Sequence, residues 1–321
     1  MDLPILMLAG PTGAGKSDWA IRLAEGLDVR QGGAPPIEIV SVDSALVYRG
    51  LDIGTAKPSR TVREQIPHYL IDICEPTESY SAGRFLADAV ERIRDIHARG
   101  RVPLLVGGTM LYFRALLHGL APLPQASAER RHQIDTRAVT EGWPALHADL
   151  ERLDPQAAAR ISRNDSQRIQ RALEVCYETG QTLSALQQGT VSALAGASVK
   201  SWALVPGNRA ALHERLEKRF HVMLEQGFLE EVRTLRARGD LTATLPAVRA
   251  VGYRQLWSHL DGEFGFDDAV QRAIAATRQL AKRQLTWIRS ESLFKCLDPD
   301  AAGVEASWNR DVRHELRELG L

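Results

Sequence analysis

The run Gly10-Pro-Thr-Gly-Ala-Gly-Lys16-Ser17 fits the pattern G-x-x-x-x-G-K-[ST]. It follows the apolar stretch Ile5–Ala9 and precedes a segment with helical periodicity, the context this pattern requires. Such a loop turns its backbone N–H groups inward around phosphate oxygens, and the helix behind it adds its positive end. Gly10, Pro11, Thr12, Gly13, Ala14, Gly15, Lys16 and Ser17 are therefore expected to bind phosphate. Lys16 supplies a point charge, and the Ser17 hydroxyl is a candidate Mg²⁺ ligand. The loop does not choose a reaction, because ATPases, small-molecule kinases and GTPases share it. Most of them also place an Asp at the end of a buried strand to hold Mg²⁺. Here Val102–Val106 runs into Gly107-Gly108-Thr109, Asp72 is a poor substitute, and no N-K-x-D guanine reader is found. The loop thus suits a diphosphate that departs as a leaving group.

Other residues have the right type and place for chemistry. Asp43 closes the expected strand Ile37–Val42. A carboxylate at the C-terminal edge of a sheet can take a proton, and Asp-Ser is equally a turn opener. Thr109 is a hydroxyl at another strand end or a cap of the helix after it. Arg219, in Lys218-Arg-Phe-His-Val-Met223, reads by itself as a solvated helix residue. Three stretches concentrate positive charge or amides. Gln167-Arg168-Ile169-Gln170-Arg171 follows Arg163, and 167, 168 and 171 share a helical face. Arg249-Ala250-Val251-Gly252-Tyr253-Arg254 brackets an aromatic ring that either stacks on a base or packs in the core. Ala269–Ser290 holds Arg272, Arg278, Lys282, Arg283 and Arg289 with no acid, and Arg278, Lys282 and Arg289 form a stripe able to track a phosphate backbone.

The elements that must position these residues alternate. Strands are expected at Ile5–Ala9, Ile37–Val42, Leu70–Ile73, Val102–Val106 and Ser201–Val205, with helices at Ser17–Leu27 and Ser81–Arg99 among them. Gln31–Pro36 reads as a loop. Alternation of this kind predicts an α/β fold with a parallel sheet flanked by helices, of the P-loop NTPase type. The pattern changes at the proline-rich Ala121–Gln125, after which the chain is helical and polar to about Ala197. Residues 1–120 and 199–321 are therefore expected to form the catalytic core, with 121–198 an inserted all-helical unit. Long helices are expected at Ala210–Gln226, Leu229–Arg238 and Asp267–Arg289. The chain has 321 residues, 44% hydrophobic and 25% charged, with zero formal net charge, so any nucleic-acid surface has to be local. No apolar run approaches the ~18 residues of a membrane span. The three scattered cysteines show no metal or disulfide spacing and fit a cytoplasmic protein.

Further segments converge on one family: Ser41-Val-Asp-Ser-Ala-Leu-Val-Tyr48, Asp52-Ile-Gly-Thr-Ala-Lys-Pro58, Pro67-His-Tyr-Leu-Ile-Asp-Ile73 and Leu105-Val-Gly-Gly-Thr-Met-Leu-Tyr112. Later come Asn164–Glu174, Ala250-Val-Gly-Tyr253 and Thr277–Trp287. With the phosphate loop, this ordered set resembles the bacterial tRNA dimethylallyltransferases from Gly10 to Arg289; the tail after Ser290 carries no family signature. The resemblance implies transfer of a dimethylallyl group from its diphosphate to the exocyclic amine of the adenosine 3′ of the anticodon, in tRNAs reading codons that begin with U. Mg²⁺ and release of diphosphate are implied as well. It makes Asp43 the general base and puts Asp43, Ser44, Ala45 and Leu46 against the target nucleotide. Thr109 would donate near the diphosphate, and Arg219 would clamp it opposite the loop. The three basic stretches, including Arg278, Lys282 and Arg283, become contacts for the anticodon stem-loop. Lys57 is a further candidate RNA contact, Trp287 is expected in the core, and a monomer without an obligate protein partner is expected.

Three rival readings remain on the residues. A small-molecule kinase would need ATP and a hydroxyl acceptor, and it leaves the basic helix unexplained. A prenyltransferase for free adenine nucleotides would share Lys16, Asp43 and Thr109 but has no use for the helical insert. A non-catalytic RNA-binding module has no need of Lys16 and Ser17 beside Asp43.

Overall fold

A computed structural model describes residues 3–27, 36–124 and 127–318, with the backbone alone for Ala128. Most of the loop expected at Gln31–Pro36, and Gln125 of the expected boundary, lie outside the described residues.

Six strands make one parallel sheet: β1 Ile5–Ala9, β2 Ile37–Val42, β3 His68–Tyr69, β4 Val102–Gly107, β5 Val199–Leu204 and β6 Lys295–Leu297, in the order β3-β2-β4-β1-β5-β6. β1, β2 and β4 are buried along their whole length, as strands in a sheet covered on both faces should be, and β2 includes Glu38, paired with Arg99 and Arg101, and Ser41. From β1 the chain passes to β2 and β3, returns to place β4 between β1 and β2, and continues on the other side of β1 through β5 and β6, so β1, β4 and β2 bring their C-terminal ends side by side. Those ends carry the phosphate loop, Gly107-Gly108-Thr109 and Asp43 respectively. Ligands of such sheets bind at this edge.

The flanking helices follow from their apolar spacing. α1 (Lys16–Glu25) buries Trp19, Ala20, Leu23 and Ala24. α2 (Arg60–Gln65) is short. α3 (Ala82–Ala98) is capped by Ser81, whose Oγ accepts from Arg84 N, and buries Phe85, Ala89, Ile93 and Ile96. After α4 (Met110–His118), α5 (Ala128–Glu141), α6 (Trp143–Leu153), α7 (Pro155–Arg160), α8 (Ser166–Thr179) and α9 (Leu183–Leu186) belong to a separate compact unit, residues Leu116–Ala193. That unit has its own core, built on Ile134, Leu146, Leu150, Ile169 and Leu173. The remainder, Met1–Ala115 and Leu194–Leu321, forms the other unit. It also holds α10 (Arg209–Glu225), α11 (Phe228–Ala237), α12 (Tyr253–Leu260), α13 (Phe266–Ser290) and α14 (Val304–Glu318). Among the described residues, no helix is long and apolar enough to cross a membrane.

The third strand differs from expectation. Leu70–Ile73 does not join the sheet; only His68 and Tyr69 do, opposite Ile39 and Val40. Leu70 and Asp72 have φ of 62° and 55°, so the chain leaves the extended conformation there. Asp72 N and Ile73 N donate instead to Leu46 O and Val47 O in the loop beyond β2. β6 and α14, in the tail that bears no family signature, are additions. β6 pairs with β5, and α14 buries Trp308, Val312 and Leu316 against the sheet core.

Candidate active site

Gly13 and Gly15 have φ of 74° and 84°, which lets the loop after β1 curl. A Cβ on Gly13 would also lie 2.6 Å from Leu216 Cδ2. Lys16 Nζ donates to Pro11 O at 2.7 Å, folding its ammonium back over the loop. Burial pushes Lys16 down to about 8; Asp43 opposes the shift and Arg219 reinforces it. Around the loop lies a chamber of about 510 Å³ reached by Lys16, Ser17, Asp43 and Arg219. Arg219 is half-buried rather than solvated, and desolvation holds its guanidinium below its ordinary value. Phosphate entering this chamber meets backbone donors and two cations in a partly dry setting, where such contacts count for more than in water.

A second chamber, of about 530 Å³, lies beside the first. Its apolar wall includes Leu216, Phe220, Met223, Phe228 and Leu280. Thr12, Asp43, Gly108, Arg219 and Gln284 line both chambers. Asp43 therefore stands where a phosphate chamber meets an apolar one. Its Oδ1 accepts from Ala45 N at 2.8 Å and Leu46 N at 3.3 Å, the turn reading of Asp-Ser. Oδ2 makes no hydrogen bond among the described residues. The turn is thus served by Oδ1 alone. Thr109 Oγ1 accepts from Ser44 N at 3.0 Å, and Thr109 N donates to Val42 O, so the ends of β2 and β4 are tied directly.

Gln284 was singled out by no motif argument, yet it fixes this junction. Its Oε1 accepts from Thr12 N at 2.9 Å and its Nε2 donates to Gly108 O at 2.7 Å. A Cβ on Gly108 would fall 2.5 Å from Nε2, so glycine there leaves room for the bridge. A glutamine in a basic helix offers no signal by type alone. The available clue was its place in Thr277–Trp287.

The wall of the apolar chamber is held by an anionic anchor. Glu231 on α11 accepts from Asp52 N, Ile53 N and Gly54 N at 3.1, 2.7 and 3.2 Å, and from Tyr253 Oη at 2.5 Å. Tyr253 thus takes the packed alternative: its ring is buried, edge-on to Phe228, with centroids 4.8 Å apart. Burial and then the Glu231 charge keep its hydroxyl protonated. Lys57, a candidate RNA contact, turns inward. Its side chain is 3% exposed, and its ammonium bridges Asp52 and Asp72 and donates to Tyr48 O. Trp287, expected in the core, is half-buried, lines the apolar chamber and lies under the Arg114 guanidinium.

The basic stretches divide by partner. Arg249 and Arg283 are exposed and line the apolar chamber, as do Ala250 and Val251; Lys282 and Arg254 are exposed outside that lining. Gly252 takes φ 91° at the start of α12 and is buried. Arg278 is drawn to Glu217 at 2.7 Å, which removes it from a free stripe. In the helical unit, Gln167 and Arg168 are exposed. Ile169 is fully buried, so its side chain is not on that face. Gln170 donates to Asp135, while Arg171 is spent on Pro124 O and Glu174.

A family model described as "IPP transferase" matches residues 46–291. The tRNA dimethylallyltransferase of Methylococcus capsulatus is 55% identical over 313 residues, covering 98% of either chain. That of Bordetella parapertussis is 54% identical over 302 residues, covering 92% of this chain and 94% of its own. Among solved structures, the full-length tRNA isopentenylpyrophosphate transferase of Bacillus halodurans superposes with a TM-score of 0.69 at 33% identity, covering 98% and 97% of the two chains. A eukaryotic dimethylallyltransferase acting on tRNA gives a TM-score of 0.77 at 26% identity, over 96% of this chain and 77% of that one.

Proposed function

Because the chain belongs to the IPP transferase family, the tRNA dimethylallyltransferases, we propose that it moves a dimethylallyl group from dimethylallyl diphosphate to N6 of the adenosine immediately 3′ of the anticodon, in tRNAs reading codons that begin with U. The observation that carries this reading is Asp43 at the junction of a phosphate chamber and an apolar one.

The diphosphate occupies the loop chamber, against the Gly10–Ser17 backbone, Lys16 and Arg219. The five-carbon group points into the apolar chamber, where the flipped adenine meets it. The allylic C–O bond breaks and both its electrons go to the diphosphate. N6 forms the new C–N bond and becomes acidic, and its proton passes to Asp43 Oδ2. Donors fixed on the leaving group act where charge grows; losing one such donor costs ~10²–10³ in rate. Thr109, tied to Ser44, holds the Asp43 turn in register with the phosphate loop. Extruding a base from a single-stranded loop costs only a few kcal/mol.

The donor set fits Mg²⁺. The Ser17 hydroxyl is exposed in the loop chamber, and no cluster of three His, Cys, Asp or Glu side chains is found among the described residues. Mg²⁺ habitually takes few protein ligands and completes its shell with substrate phosphates and water. Ser17 would hold it, and it would neutralise the departing diphosphate. Arg249, Lys282, Arg283, Arg254, Gln167 and Arg168 supply the RNA contacts, and the protein works as a cytoplasmic monomer.

The test supplies Mg²⁺, radiolabelled dimethylallyl diphosphate and either an anticodon stem-loop or AMP. Label is expected on the stem-loop and not on AMP. Label on AMP alone would replace the acceptor, and ATP turnover without transfer would replace the reaction.

A further inference from the structure

The phosphate chamber contains an arginine that the reaction above leaves unused. Arg215 and Arg219 are one turn apart on α10, so their side chains share a face, and both line the chamber with Lys16 and Ser17. Pro299 and Asp300, from the tail beyond β6, line it too. Asp300 faces Arg215 as a fork: Nη1 donates to Oδ1 at 2.7 Å and Nη2 to Oδ2 at 3.3 Å.

Two features of this pair are not explained by stability. The side chains are 40% and 32% exposed, and ion pairs that open to water contribute ~0–1 kcal/mol. Meanwhile Arg215 Nε is buried with no hydrogen-bond partner among the described residues, as is Nε of Arg63, Arg130 and Arg278. A shielded donor without an acceptor is costly, and of these four arginines Arg215 is the one that lines the phosphate chamber. The segment carrying Asp300 is also firmly seated. Val205 N donates to Leu297 O at 2.7 Å. Asp298 Oδ1 accepts from Asp300 N, and Asp298 Oδ2 comes within 2.5 Å of where a Cβ on Gly207 would stand. The turn that presents Asp300 to α10 is therefore built into the end of the sheet.

We infer that Arg215 is a second diphosphate-binding arginine, paired with Asp300 until the diphosphate displaces that carboxylate, and that the tail after Ser290 thereby sets the affinity of the donor site. Asp300 fills the guanidinium fork while the chamber is empty and competes with the diphosphate for it. The inference rests on the reading of this chamber as the donor's diphosphate site.

Calorimetric titration of inorganic diphosphate with Mg²⁺ into the full chain tests it. Arg215→Gln is expected to weaken binding about tenfold, with Arg215→Lys recovering part of the loss because charge survives but the fork does not. Asp300→Asn is expected to tighten binding by about threefold, since a competing carboxylate leaves an anion site. In the Arg215→Gln background Asp300→Asn should lose most of that effect, because the two act as a pair. The KM for dimethylallyl diphosphate should follow these changes while the KM for the stem-loop does not. Unchanged diphosphate affinity in Arg215→Gln, or additive effects in the double variant, would overturn the role of Arg215. If Arg215→Gln fails to fold, Asp300→Asn decides alone, and wild-type affinity in it contradicts the inference. Failure of the unaltered protein to bind diphosphate would instead remove the donor-site reading itself.

Discussion

Lys16 shows how burial sets the working range of a charge. The phosphate contact proposed for it needs an ammonium ion, yet burial lowers it from its ordinary 10.5 to about 8. In the free enzyme the ammonium is therefore lost as pH rises through about 8. The predicted kcat/KM for dimethylallyl diphosphate falls across that point, while kcat holds to higher pH because bound diphosphate restores the proton. The stability effect has the opposite sign. Between the folded and unfolded values the unfolded chain binds more protons, so the lysine's contribution to stability grows as pH rises through that window. A pH profile of kcat/KM that stays flat well past pH 8 would contradict this account of Lys16. Single residues were unevenly legible. Asp43 and Lys16 announced themselves by strand end and motif. Type alone left the partners of Lys57 and Tyr253 open, and the structure pairs them with Asp52, Asp72 and Glu231.

Among elements, α13 ties the site together through Gln284, which joins the phosphate loop to the turn after β4. Gln284→Leu leaves Thr12 N and Gly108 O without these partners. Each unmet group costs ~1–3 kcal/mol if it stays dry. The expected result is a lower melting temperature together with a raised KM for the donor; a variant that melts lower but keeps its donor KM would make the bridge purely structural. The buried strands and long helices were readable because their periodicity follows from which face is covered. The run Leu70–Ile73 misled because its apolar residues serve a loop: the left-handed φ at Leu70 and Asp72 turns it away from the sheet. α12 was hidden by its start at Gly252, where a left-handed backbone and the Gln255 side chain set the first turn. β6 and α14 lie in a tail with no recognisable motif, and only packing against β5 and the sheet core reveals them.

Over the whole molecule, net charge is zero, so RNA affinity must come from local arginines and lysines. Among the described residues, the exposed cations on α13 with no ion pair include Lys282, Arg283 and Arg289, whereas Arg278 is held by Glu217. Lys282→Gln and Arg283→Gln should each weaken stem-loop binding and flatten its log–log salt dependence by ~0.7 per lost phosphate contact. Arg278→Gln should change the slope less. Anisotropy titrations of a labelled stem-loop over a salt series measure both, and an unaltered slope in Lys282→Gln would remove that residue from the interface. The change from alternating to all-helical sequence was visible as lost strand periodicity. The two compact units meet along the chain inside α4, between Ala115 and Leu116, earlier than the proline-rich stretch. A helix that runs through a boundary leaves no mark in its own composition.

If Asp43 takes the N6 proton where the two chambers meet, Asp43→Asn should still bind donor and stem-loop but transfer the dimethylallyl group slower by ~10²–10⁴ in a single turnover with both substrates shown to be bound. Transfer at the wild-type rate with both bound would show that Asp43 is not the proton acceptor.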